Sequence, residues 1–117
     1  LIAPFGATAA LIYGTPKSRM AKLPNVFAGH LISAFIGICC YQLCGNNWYA
    51  ISLSLSLSVI FMLLTNTMHP PGGATAVLCV ISQKSFSFLL MPLGTGLFIL
   101  IIIFYAGNLL RYILKIS

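Results

Sequence analysis

From Val26 to Cys44 the chain runs for nineteen residues without a Lys, Arg, Asp or Glu. Wound as an α-helix at ~1.5 Å per residue, such a run is close to 30 Å long, the thickness of the hydrocarbon core of a bilayer. Phe86–Leu110 is a second long run of the same kind. Leu1–Gly14, Ala50–Leu64 and Ala74–Ser82 are apolar as well. A chain that is 60% hydrophobic and 5% charged has too little polar surface to keep these segments in water. In lipid every backbone N–H and C=O must find its partner within the protein, which for a single segment means a helix. The expected fold is therefore all-α, a polytopic transmembrane helical bundle. This settles one ambiguous stretch. Ser52-Leu53-Ser54-Leu55-Ser56-Leu57-Ser58 alternates with the period of a strand, yet a lone strand cannot satisfy its backbone in a membrane. As a helix, the Ser52/Ser56 and Ser54/Ser58 pairs suit close packing.

Charge narrows the chemistry. The sequence has no Asp or Glu, so it offers no carboxylate pair for acid/base work, no oxygen cage for Mg²⁺ or Ca²⁺, and no acidic proton relay. Its six Lys and Arg lie between the apolar blocks, with Lys17, Arg19 and Lys22 in one loop. That placement reads as a topology signal rather than a nucleic-acid face. Cys39, Cys40, Cys44 and Cys79 form no Cys-x-x-Cys pair and read as small buried hydrophobes. There is no nucleophile–base pair and no phosphate loop. The expectation is no enzyme, no cofactor and no metal. The chain opens on Leu1 inside an apolar run, which reads as a fragment with an upstream helix missing.

The sequence repeats itself at an offset of 67 positions. Pro4-Phe5-Gly6-Ala7-Thr8-Ala9-Ala10-Leu11 matches Pro71-Gly72-Gly73-Ala74-Thr75-Ala76-Val77-Leu78, and Lys17-Ser18 matches Lys84-Ser85. Repeat units of about 1–47 and 48–117 follow, within a single domain covering 1–117. Each unit contains a short Gly-Ala-Thr-Ala segment, Gly6–Gly14 or Gly73–Ser82, about half as long as a bilayer span. These read as half-helices, with the preceding Pro and Gly blocking continuation upstream. Counting each as one leg of a broken crossing gives three crossings per unit and hence an inverted repeat; a re-entrant reading gives another topology.

Paired broken helices in inverted repeats are a transporter design. Helix N-termini present free N–H groups and a partial positive charge, which suit an anion. Gly6, Gly72 and Gly73 would let a ligand reach the backbone, and Thr8 and Thr75 would add hydroxyls. The alternative is that these small residues serve only helix packing. His30 and His69 are titratable groups between membrane segments. His69, beside Pro70-Pro71, reads as functional, a donor to an anion or an acceptor of a proton. His30 reads better as a tie between helices, though it stays a candidate. Asn66 is a further donor or a helix cap.

At His69-Pro70-Pro71-Gly72-Gly73-Ala74-Thr75-Ala76 the sequence resembles the HPP family of integral membrane proteins. Pro4–Leu11, Asn25–Ala34 with its Gly29-His30 pair, and Leu64–Met68 are similar to further blocks of that family in the same order. Position 72 is Gly where Ala is the commoner family residue. The family includes members associated with nitrite transport. The resemblance implies a multi-pass membrane transport protein for a small inorganic anion such as nitrite, with lipid as its surroundings and no nucleic-acid partner. A bacterial inner (plasma) membrane is the expected location, and assembly into a homo-oligomer is open. A non-transporting structural or regulatory subunit is the alternative.

Overall fold

The computed structural model describes residues 3–115, and these are helical almost throughout. Five α-helices follow one another: α1 Ala3–Gly14, α2 Leu23–Cys44, α3 Trp48–Leu64, α4 Pro70–Ile81 and α5 Thr95–Ile113. The expected all-α bundle is what forms. α2, at 22 residues, and the stretch Phe86–Ile113, at 28, are long and apolar enough to cross a membrane. α4, at 12 residues, comes to only ~18 Å, and the described part of α1, Ala3–Gly14, is of the same length.

The ends of these helices have local causes. α4 begins at Pro70, three residues before the expected start. Proline is tolerated in the first turn because the N–H it lacks would have no partner there. The two prolines therefore open the helix instead of standing in front of it. α1 likewise includes Pro4. α1 ends at Gly14 and α4 at Ile81, which are equivalent positions at the offset of 67, so the sequence repeat becomes a pair of helices that stop at the same place. α2 starts earlier than expected, again through a proline in its first turn, Pro24. Gly45 ends α2 with φ 79°, and Asn47 caps α3 by accepting from the Ala50 N–H. Trp48 and Tyr49 open α3 exposed, as interface anchors do. The run Phe86–Leu110 is not one straight helix. Met91 is extended, at φ −137° and ψ 129°, and breaks it before Pro92. Proline disfavours the helical conformation of its predecessor.

α2 and α4 pack most extensively on each other, and α3 completes a three-helix core with them. Ile38, Ala34, Val26 and Cys79 are fully buried there. α1 leans on α4. α5 buries Leu97 and leaves Phe98, Ile99, Ile102 and Ile103 exposed. An apolar face of that extent suits lipid, not water.

The alternating segment is helical, as the backbone argument requires, but its two serine pairs part company. Ser54 and Ser58 are buried, whereas Ser52 and Ser56 are exposed. Ser52 and Ser56 turn back onto the carbonyls four residues earlier, at 3.0 and 2.8 Å, which satisfies each hydroxyl at the lipid face. Only one pair packs, because the helical period carries the other away from the core. Ser58→Leu is therefore expected to lower the thermal stability of the detergent-solubilised protein by about 1–3 kcal/mol through overpacking, and Ser56→Leu to leave it near native. A thermal unfolding series on the two variants checks this.

Candidate functional site

The close approach of α2 and α4 depends on two glycines of α2, Gly29 and Gly37, and one of α4, Gly72. A Cβ built on Gly37 would lie 2.5 Å from the Ala76 carbonyl oxygen, and one on Gly72 would lie 2.7 Å from the carbonyl oxygen of Gly29. At Gly29 an added Cβ would meet the Cβ of His69 at 2.6 Å. The backbones touch because these positions have no side chain. That contact brings His30, next to Gly29, level with His69, the residue that precedes α4.

Around them a hydrogen-bonded cluster closes. Thr8 Oγ1 of α1 lies 2.8 Å from His30 Nε2 and 3.0 Å from His69 Nε2. It also lies 3.1 Å from the Pro4 carbonyl oxygen, one turn back. On its other side His30 Nδ1 is 2.8 Å from Thr75 Oγ1 of α4. His69 Nδ1 is 2.7 Å from the carbonyl oxygen of Met20, in the short 3₁₀ turn Arg19–Ala21. The two imidazoles meet edge to face with centroids 5.0 Å apart, and the Phe5 ring stands on His30 at 5.1 Å. Thr8, His30, His69 and Thr75 are all 0% exposed. Among the described residues every buried side-chain nitrogen and oxygen has a partner. In a low-dielectric interior such a network is strong while complete and costly when broken.

Thr8 and Thr75 are the equivalent threonines of the two repeats, and they hold His30 from opposite sides. The symmetry stops there. At the same offset His30 corresponds to Leu97, a buried apolar side chain. The repeat supplies the two hydroxyls, and the histidines are particular to one place.

Four of the expected site residues thus meet: Thr8, His30, His69 and Thr75. The others lie elsewhere. Gly72 is buried against Gly29 beside the cluster, and Gly73 faces Leu55 and Val59 of α3. Gly6 is exposed, with open space where a side chain would go. Asn66, at φ 58°, lies in the exposed turn between α3 and α4 and accepts from the Arg19 guanidinium. The start of α4 has few free N–H groups, since Pro70 and Pro71 have none and the Gly72 N–H goes to the His69 carbonyl. The polar capacity of this region resides in imidazole and hydroxyl groups. Two further participants, the carbonyls of Pro4 and Met20, are main-chain atoms that no side-chain pattern reveals. Phe5 stood in the matching repeat, but its lid over His30 depends on the tertiary packing.

The cluster is built from the segments that carry the repeat and the histidine-proline-proline run. The model of the HPP family's transmembrane region matches residues 1–112. The chain belongs to the HPP family. Two transmembrane proteins of Dictyostelium discoideum are similar to it, one 37% identical over 87% of the chain and the other 36% identical over 82%. The chain spans 39% and 33% of the lengths of these relatives. Both come from one organism that is not a bacterium, so the expected bacterial inner membrane gains nothing from them. No solved structure matches the HPP chain. It is a membrane protein, and in it the named motif serves three ends: His69 joins the cluster, the prolines open α4, and the following glycine meets α2.

Proposed function

We propose that this HPP-family chain is part of a membrane transport protein for a small inorganic anion, with nitrite the first candidate. The carrying observation is the buried Thr8–His30–His69–Thr75 cluster, polar and free of carboxylates, inside a largely apolar bundle. Polar and titratable groups at such positions are costly and mark solute pathways. Neutral or positive donors suit an anion, and a carboxylate would repel it. The donors in this reading are imidazole N–H and threonine O–H groups rather than backbone N–H groups at the helix starts. Because the cluster is already saturated, an anion must take the place of one of its internal bonds. The break Thr65–His69 between α3 and α4 and the packing of α1 on α4 support this reading, since transporters use broken helices in paired repeats. The choice of nitrite comes from the family resemblance alone.

One observation favours a second reading. The completeness of the network is also what a structural clasp between α1, α2 and α4 would need. The full-length protein in proteoliposomes separates the two. Nitrite, nitrate, formate or bicarbonate flux above that of empty vesicles is the expected result. Equal flux in loaded and empty vesicles for all four anions leaves the clasp.

A further inference from the structure

The positions of the hydrogens in the cluster follow by elimination. The Met20 carbonyl can only accept, so His69 Nδ1 carries a hydrogen and donates to it. In neutral His69 the other nitrogen, Nε2, is then a bare lone pair. The hydrogen within reach of it is that of the Thr8 hydroxyl. If Thr8 donates to His69, it must accept from His30, so His30 Nε2 carries a hydrogen. His30 Nδ1 is then bare and accepts from Thr75. One arrangement alone satisfies every group with both rings neutral. It runs in a single direction: Thr75 O–H to His30, His30 Nε2–H to Thr8, Thr8 O–H to His69, and His69 Nδ1–H to the Met20 carbonyl.

A second arrangement is complete when one proton is added. Thr8 Oγ1 also has the Pro4 carbonyl within reach. If His69 Nε2 takes up a proton from water, the ring becomes an imidazolium that donates at both nitrogens. Thr8 then accepts from His69 and from His30, and turns its own hydrogen to Pro4. That fills the one donor and two acceptor positions of a hydroxyl. One proton enters, the net charge rises by one, and no heavy atom needs to move. The same proton placed on His30 Nδ1 would face Thr75 Oγ1 and displace the hydrogen that Thr75 donates there. Protonation therefore falls on His69.

We propose that His69 is a proton-binding site whose occupancy is switched through the Thr8 hydroxyl, which points to His69 when the ring is neutral and to the Pro4 carbonyl when it is charged. The surroundings are consistent with this. α1 offers Thr8 and Phe5, α2 offers His30, α4 offers Thr75, and Met62 of α3 lies close by at Gly29. The loop brings the Met20 carbonyl, with Arg19 held away on Asn66. His30 is the one titratable side chain in contact with His69 among the described residues. Through the transport reading on which this consequence rests, the switch gives a rationale for moving a proton with an anion. The imidazolium attracts the anion, and loss of the proton releases it.

Solid-state ¹⁵N spectroscopy of the full-length protein, histidine-labelled and reconstituted in bilayers, reads the hydrogens directly. Each ring is assigned through its own backbone correlations, so no variant has to fold. Near neutral pH we expect His69 with its hydrogen on Nδ1 and His30 with its hydrogen on Nε2. On acidification His69 is expected to become doubly protonated first, with His30 keeping its Nε2–H form. His69 with its neutral hydrogen on Nε2, or His30 charging before His69, overturns the proposal. Absent anion flux with these tautomers in place removes the transport reading and leaves the proton site standing.

Discussion

Gly72→Val and Gly37→Val are expected to be the most damaging single substitutions in the bundle. The atoms that an added Cβ would meet are backbone, the Gly29 carbonyl at 2.7 Å for Gly72 and the Ala76 carbonyl at 2.5 Å for Gly37. A flexible side chain could turn aside, but a helix backbone cannot. α2 and α4 must therefore separate, and with them His30 from His69. Overpacking in a tight core costs about 1–3 kcal/mol, and these sites should reach or exceed the upper end. Gly6→Ala is the matched control. Its added methyl meets nothing within 4 Å, and alanine is favoured over glycine in a helix by roughly 0.5–1 kcal/mol. Thermal midpoints in one detergent should fall sharply for the first two variants and hold or rise for Gly6→Ala. Equal midpoints for Gly72→Val and native protein would show that the glycine contact does not set the helix spacing.

This contrast also shows what could be read in the sequence. The helical fold was legible because in a bilayer it is forced by backbone hydrogen bonding, which overrides even the strand-like alternation of Ser52–Ser58. The repeat was legible because it is residue identity at a fixed offset. It pointed to Thr8 and Thr75, and the structure joins both to His30. It also pointed to Gly6 and Gly73 as an equivalent pair, yet only Gly73 is packed against a neighbouring helix. Repetition in sequence does not determine which face finds a neighbour. Gly29 and Gly37 carry the helix contact without belonging to the repeat block, and their role depends on the crossing of two distant segments. The main-chain acceptors of Pro4 and Met20 have no side-chain signature at all. His30, which read as a tie between helices, and His69, which read as a working group, turn out to belong to one network.

The second large effect concerns Thr8, among the described residues the one side chain hydrogen-bonded to both histidines. Valine has nearly the same shape but no hydroxyl. In Thr8→Val the packing stays filled, while His69 Nε2 and His30 Nε2 lose their common partner. Each buried polar atom left dry costs about 1–3 kcal/mol, so the variant should be less stable but retain its helices, because the α2–α4 contact is untouched. Serine keeps the hydroxyl and loses one methyl, so Thr8→Ser should preserve the hydrogen-bonded chain. A structural clasp and a working site differ here. A clasp predicts changes in stability alone, whereas a working site predicts that function follows the hydroxyl.

The decisive measurement is anion flux through full-length protein carrying Thr8→Ser or Thr8→Val, reconstituted at equal density after each has been shown to be helical and monodisperse. The account predicts flux near the native level for Thr8→Ser and flux no greater than that of empty vesicles for Thr8→Val. Native flux through folded Thr8→Val would contradict it and leave the buried cluster a tie between helices.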